Sequence, residues 1–136
     1  MKTIIIVGAN ACGGSAASRL RRLSENLKII LLEKGSFMSF ANCGLPYYVG
    51  GEVKYLDDID GQSAEIFAEQ NDIDVRLNHE VIAINTIDKR LSIYDHKKDS
   101  SYEENYDELV LATGAELNSP KDLDLSAENI FPVLNI

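Results

Sequence analysis

Cysteine is scarce in this chain, with Cys12 and Cys43 the only two among 136 residues. Two thiols cannot build a disulfide scaffold, and neither sits in a CxxC or His-rich setting, so no metal site is expected. That usage suits a reducing, cytoplasmic compartment. No apolar run reaches the length of a membrane span, and Met1-Lys-Thr leads into a strand-like run and not a cleavable signal. The chain therefore reads as soluble and unprocessed. Basic residues are also few: 13 Lys and Arg against 22 Asp and Glu leave a net charge of −9. This argues against a nucleic-acid surface unless the cations segregate, and only Arg19, Arg21 and Arg22 cluster. Repeats and low-complexity linkers are missing. What remains is an ordinary globular composition, 45% apolar and 26% charged, enough for one compact domain.

The first third carries a recognisable order of elements. Thr3-Ile-Ile-Ile-Val7 is a short, β-branched apolar run suited to a strand buried on both faces of a parallel sheet. The glycine-rich turn Gly8-Ala-Asn-Ala-Cys-Gly-Gly14 follows, then Ser15 to Leu23 with Ala16, Ala17, Leu20 and Leu23 at helical spacing. Lys28-Ile-Ile-Leu-Leu-Glu33 is a second buried strand ending in a carboxylate. A strand, glycine turn, helix, strand and acid in this order can hold a dinucleotide: glycine admits the tight turn, and helix N–H groups hold the pyrophosphate. Glu33, twenty residues after Gly13, falls where an acid accepts a hydrogen bond from a ribose hydroxyl, favouring an unphosphorylated ribose. Gly8 and Gly13 stand at the first and last glycines of the fingerprint, but Asn10 stands at the middle one. A βαβ unit with no nucleotide is the competing reading.

In Ser39-Phe-Ala-Asn-Cys-Gly-Leu-Pro-Tyr-Tyr48, Cys43 precedes Gly44-Leu45-Pro46, and proline suits the first turn of a helix. At a helix start, unpaired N–H groups and the dipole favour a thiolate, which makes a nucleophile; a small apolar residue filling a turn is the alternative. Gly50-Gly51 closes this short helix, and Glu52 to Gly61 reads as an acidic loop. Ser63 to Gln70 reads as a helix with Ile66 and Phe67 inward, and Ile73-Asp-Val-Arg-Leu77 as a strand. Glu80 to Thr86, Arg90 to Tyr94 and Ser101 to Tyr106 alternate with period two, predicting a small antiparallel meander inserted into the parallel sheet. Leu109-Val-Leu-Ala-Thr-Gly114 returns to a buried strand whose small end lets a cofactor approach the backbone. After Pro120 a loop-like stretch leads to Ile130-Phe-Pro-Val-Leu134. The predicted fold class is α/β, a Rossmann-like parallel sheet with a β-meander insertion.

Other features read as structural. His79 and His96 stand alone and suit surface or capped histidines, while Asp57-Asp58 and Glu103-Glu104 suit solvated faces. Tyr47 and Tyr48 suit core or rim. Arg19 and Arg22, three apart on one helix face, either grip a phosphate or complement the helix dipole.

Taken together, Ile4-Ile-Ile-Val-Gly8, Glu33-Lys34, the Ser39 to Tyr48 segment and Tyr106-Asp-Glu-Leu-Val-Leu-Ala-Thr-Gly-Ala115 resemble the single-cysteine, FAD-dependent pyridine nucleotide-disulfide oxidoreductases. That group includes coenzyme A disulfide reductases, NADH oxidases and NADH peroxidases. The resemblance runs from the first residue to about Pro120 and is closest to the coenzyme A branch, because Asn10, Ala11 and Cys12 stand where the oxidases and peroxidases usually carry a histidine. It implies that Gly8, Gly13, Glu33, Lys34, Val81, Thr113 and Gly114 hold FAD, with Val81 offering its backbone near the adenine. Cys43 is implied as the redox nucleophile. Ser15, Arg19, Arg22, Ser39 and Asn42 are implied as coenzyme A contacts, while Asn71 replaces a lysine that some relatives of that branch carry.

The implied reaction runs from NAD(P)H through FAD to a mixed disulfide between Cys43 and coenzyme A, in a homodimer. The resemblance covers the N-terminal part of an FAD/NAD(P)-binding domain. The family's NAD-binding domain, its later Gly-Asp segment and its dimerisation domain are expected outside this chain. Two further readings are a non-catalytic nucleotide-binding module and a fragment of an NADH oxidase. An independent nicotinamide dehydrogenase is a third, and it leaves the cysteine segment unexplained.

Overall fold

A computed structural model describes residues 1–116, 118, 127–128, 130–131 and 133, so most of the segment expected after Pro120 lies outside the described residues. The chain divides into two compact units, one of Met1–Ser39 with Gly61–Thr113 and the other of Phe40–Asp60 with Gly114–Ile136.

The first unit is built on a four-stranded parallel sheet in the order β3-β2-β1-β7: β1 (Lys2–Val7), β2 (Leu27–Glu33), β3 (Asp74–Leu77) and β7 (Glu108–Leu111). Helices α1 (Cys12–Leu23) and α3 (Ala64–Asn71) belong to one face. The meander β4 (His79–Asn85), β5 (Arg90–Asp95) and β6 (Ser100–Asn105) forms a separate antiparallel sheet against the other. Side chains of a strand alternate between faces, so β1 serves both layers. Ile4 and Ile6 join Ala17, Ile29, Leu31, Met38 and Phe67 on the helix side. Ile5 joins Ile30, Leu32, Leu91, Ile93 and Tyr106 on the meander side. This double burial explains why β1 and β2 are apolar at consecutive positions and not at alternate ones.

Several boundaries differ from the sequence reading. Helix α1 begins at Cys12 and not Ser15, so Gly13 and Gly14 lie in its first turn despite glycine's poor helix propensity. Packing overrides propensity here: a Cβ on Gly13 would stand 1.7 Å from the carbonyl oxygen of Gly8. Strand β7 ends at Leu111, leaving Ala112 and Thr113 beyond it. Within α3, Phe67 is buried as expected, but Ile66 is 49% exposed. Ser63 caps this helix, its Oγ accepting from the Ile66 N–H, and Asp72 ends it in the left-handed conformation with φ 49°.

Of the three clustered arginines, Arg21 has a structural task that its sequence position does not announce. Its guanidinium donates to the carbonyls of Asn71 (3.0 Å), Asp72 (2.6 Å) and Glu25 (2.9 Å), fastening α1 to the end of α3. The side chain is only 13% exposed. Arg21→Ala is expected to cost about 2–3 kcal/mol, since hydrogen bonds from a charged donor are lost and carbonyls are left without it. Urea denaturation at 25 °C measures this. Arg21→Lys recovers less than half, because a point charge cannot serve three diverging carbonyls. An unchanged midpoint in the alanine variant would show the clamp to be inert.

In the second unit the stretch Phe40–Asp60 closes on itself. Phe40 and Asp60 form an antiparallel bridge, and the Ala41 N–H donates to the Ile59 carbonyl at 2.8 Å. A 3₁₀ turn over Asn42–Gly44 runs into the single-turn helix α2 (Leu45–Val49), and Gly50 caps its end. Leu45 and Ile59 of this loop are buried, whereas Tyr47 and Tyr48 are exposed and supply no core. The acidic loop contains a second 3₁₀ turn, Leu56–Asp58.

Candidate functional site

The carboxyl ends of β1, β2 and β7 meet at one edge of the parallel sheet, the edge where open α/β sheets bind ligands. Gly8 leaves β1 with φ +95°, and a Cβ there would stand 2.2 Å from the Ala112 carbonyl oxygen and 3.3 Å from the Thr113 Cα. Only glycine fits such a turn, for both its conformation and its contact. The Gly8 N–H donates to the Leu32 carbonyl at 2.8 Å, and the Ala112 N–H donates to the Val7 carbonyl at 2.8 Å. The glycine turn, Glu33 and Thr113 are thereby drawn together within the first unit.

Glu33 reaches back over this edge. One carboxylate oxygen accepts from the Ala9 N–H and the other from the Gly35 N–H, both at 2.9 Å. Each oxygen keeps capacity for a further bond, as a ribose hydroxyl requires. The dinucleotide arrangement therefore fits these residues: close backbone contact at Gly8 and Gly13, and an anchored carboxylate with acceptor capacity to spare. Lys34 is exposed, its Nζ 3.7 Å from Glu80. Val81 sits at a register irregularity of β4, and such a bulge interrupts the regular ladder of backbone hydrogen bonds. Asn10 precedes Ala11, which takes the unusual φ of 38° at the start of α1. Ala11 donates its N–H to the Asn10 side-chain oxygen at 2.9 Å.

Beside this edge lies a cavity of about 360 Å³, wholly within the first unit. Its wall includes Ser15 and Arg22 from α1 and Ser39 from the segment after β2, three residues singled out from the sequence. Met38 and Phe67, both buried, contribute apolar lining. Arg22 has no hydrogen bond or ion pair among the described residues, unlike Arg21. Arg19 is exposed and does not line the cavity, while Asn42 belongs to the other unit. Ser18 and Gln62 also line the cavity and escaped the sequence reading. A signal for Ser18 existed: it lies three residues after Ser15 and four before Arg22, the spacing of one helix face.

Cys43 is exposed, held in the Asn42–Gly44 turn that leads into α2, with Pro46 in the first turn as its position predicts. The turn is tight: Gly44 donates to the Ala41 carbonyl at 2.8 Å, and a Cβ on Gly44 would stand 2.6 Å from Ile59 Cγ2. Helix α2 has only five residues, so its dipole is smaller than the sequence reading assumed.

The two histidines do not stand alone. His79 Nδ1 donates to the Leu77 carbonyl at 2.8 Å, and its Nε2 lies 3.4 Å from Asp95. His96 Nε2 lies 3.0 Å from Glu80. Asp95 is buried, which disfavours its charge, but the N–H groups of Lys98 and Lys97, with His79 and the Lys98 ammonium, outweigh this and hold its carboxyl below the ordinary range. A second cavity of about 440 Å³ is bordered by His79, Asp95 and Lys97.

Comparison with known proteins finds relatives of this chain. A sequence profile of the pyridine nucleotide-disulphide oxidoreductases matches residues 2–133. The chain is 40% identical over its whole length to a coenzyme A disulfide reductase of Staphylococcus haemolyticus, covering 30% of that protein. Its structure resembles that of a reduced Bacillus anthracis protein described as CoADR-RHD, with 41% identity and a TM-score of 0.86 over 88% of this chain and 22% of that one. It also resembles a NAD-dependent persulfide reductase of A. fulgidus, with 34% identity and a TM-score of 0.88 over 96% of this chain and 25% of that one. The chain thus spans about 30% of the length of the curated relatives it matches.

Proposed function

The chain belongs to the pyridine nucleotide-disulphide oxidoreductase family, and from that premise we propose that it forms the FAD- and coenzyme A-binding portion of an NAD(P)H-dependent disulfide reductase, with Cys43 as the redox nucleophile. One observation carries this reading. Ser15, Arg22 and Ser39, which the family resemblance implies as coenzyme A contacts, line a single cavity. Its volume, about 360 Å³, lies within the range of small-molecule sites.

Arg22 offers a guanidinium with no competing carboxylate among the described residues, suited to a phosphate oxygen pair. Ser15 and Ser39 supply hydroxyls that donate or accept. Gly8, Gly13, Glu33, Lys34, Val81 and Thr113 are the proposed FAD contacts of the first unit, with Glu33 as acceptor for the adenosine ribose; Gly114, the family's next FAD position, opens the second stretch of the other unit. Bound FAD supplies the two-electron transfer between nicotinamide and disulfide that side chains cannot. Cys43 performs the exchange chemistry. Its thiolate attacks one sulfur of coenzyme A disulfide, the original S–S bond breaks, and one coenzyme A thiolate leaves to take a proton. A Cys43–coenzyme A disulfide remains, and two electrons originating from NAD(P)H, with one proton, cleave it to the Cys43 thiolate and the second coenzyme A as its thiol.

Titration calorimetry of the 136-residue chain with coenzyme A tests the site. Arg22→Ala is expected to weaken binding about tenfold through loss of a charge-assisted contact. Equal affinity in the two chains would remove Arg22 and the cavity from the proposal.

A further inference from the structure

We infer that Ser18 and Gln62 are two further ligand contacts of the same cavity, Ser18 within the row Ser15 to Arg22 and Gln62 on a segment outside α1. The inference rests on the coenzyme A reading above. Along α1, Ser15, Ser18 and Arg22 follow one another at three- and four-residue steps, and all three line the cavity. At 1.5 Å per residue the row extends about 10 Å, enough for an elongated ligand that is anionic at one end. The Ser18 hydroxyl has no hydrogen-bond partner among the described residues. Among the described residues no polar side-chain atom is both fully buried and unpaired, so this hydroxyl remains accessible. A mid-helix serine with such a hydroxyl supplies a contact within the row that neither Ser15 nor Arg22 duplicates.

Gln62 is prepared differently. Its amide nitrogen donates to the Gln70 side-chain oxygen at 2.8 Å, which ties the side chain to the last turn of α3. Its own carbonyl oxygen is then left as an acceptor. Ser18 and Gln62 therefore add a hydroxyl and an amide oxygen to a site otherwise provided with hydroxyls and one cation. The group they suit is a neutral one bearing N–H or O–H donors, such as the amide-containing arm of coenzyme A, while Arg22 takes a phosphate.

Calorimetric titration with coenzyme A of the unaltered chain and of Ser18→Leu, Ser18→Ala, Gln62→Ala and Arg22→Ala decides the matter, with circular dichroism confirming that each is folded. Ser18→Leu projects a branched side chain into the cavity and is expected to weaken binding more than about tenfold. Ser18→Ala and Gln62→Ala are expected to weaken it about three- to fivefold each, the loss of one hydrogen bond. If Ser18→Leu disrupts the fold, the two alanine variants decide alone. Unchanged affinity in Ser18→Ala and Gln62→Ala, beside a loss in Arg22→Ala, overturns the roles of Ser18 and Gln62 and leaves the coenzyme A reading intact. No binding by the unaltered chain overturns both.

Discussion

Replacing Cys43 with serine is expected to slow the covalent capture of coenzyme A by more than about a hundredfold when the chain is mixed with coenzyme A disulfide. A serine hydroxyl stays protonated near neutral pH and does not attack a disulfide, so the exchange has no substitute nucleophile at this position. The second thiol provides an internal control. Cys12 and Cys43 are both exposed, and if exposure alone set reactivity the adduct would form at both. The proposed role instead gives Cys43 a bound substrate, and a held substrate reacts at an effective concentration far above that in solution. Intact-mass analysis should show one coenzyme A gained per chain in Cys12→Ser and one thiol released for each adduct. In Cys43→Ser the slow residual labelling should fall on Cys12. Equal rates in the two single variants would end the case for Cys43 as the nucleophile, whatever the cavity binds.

Gly13→Ala is expected to produce the largest loss of stability of any single methyl addition to the glycine turn. The new Cβ would stand 1.7 Å from the Gly8 carbonyl oxygen and 2.9 Å from its carbon, with Ile6 Cγ2 at 3.3 Å. Backbone atoms cannot rotate away as a flexible side chain can. Relief requires α1 to lift from β1, which would open the packing of Ala17 against the sheet. A cost above about 4 kcal/mol is expected, against a total stability of about 5–15 kcal/mol for a typical domain. Gly14→Ala is the graded comparison, because its Cβ would meet the Ala9 carbonyl oxygen at 3.0 Å, where a small shift suffices. Urea midpoints for the two variants should differ widely. A Gly13→Ala chain that unfolds at the wild-type midpoint would mean that α1 starts differently in solution.

The parts of this fold most legible in the sequence are those in which one residue pattern has one physical solution. Continuous β-branched runs at Thr3–Val7 and Lys28–Glu33 require burial on both faces, and the helix and meander layers provide it. Strict alternation at Arg90 to Tyr94 likewise marked β5, whose Leu91 and Ile93 are fully buried. Legibility fails where tertiary contact decides. The phase of the eight-residue α3 was too weakly determined to separate Phe67, which is buried, from Ile66, which is not. Arg21 looked like its neighbours because nothing in a helix's own sequence shows which side chain will meet the carbonyls at the end of another helix. The same limit applies at the site. Ser15, Arg22 and Ser39 were reached through family likeness, and Ser18 shares their helix face by spacing, whereas Gln62, on the segment before α3, became visible only once that segment and α1 bordered a common space.

The placement of β7 bears on how the chain acquires its structure in time. During synthesis, β1 can pair with β2 soon after Glu33 emerges, since only α1 separates them. Its opposite edge must wait for Glu108–Leu111, after the complete meander has been made. Thr3 and Asp107, joined by a 2.6 Å hydrogen bond, lie 104 positions apart. Pairings of such separation slow folding because a long loop must close before they contribute. Until then a hydrophobic central strand presents an open edge to other nascent chains. The β5–β6 hairpin, complete at Asn105 and followed almost at once by β7, covers Ile5 and Ile30 on one face and does not occupy that edge. The meander and β7 thus close the two exposed sides of β1 in one late step.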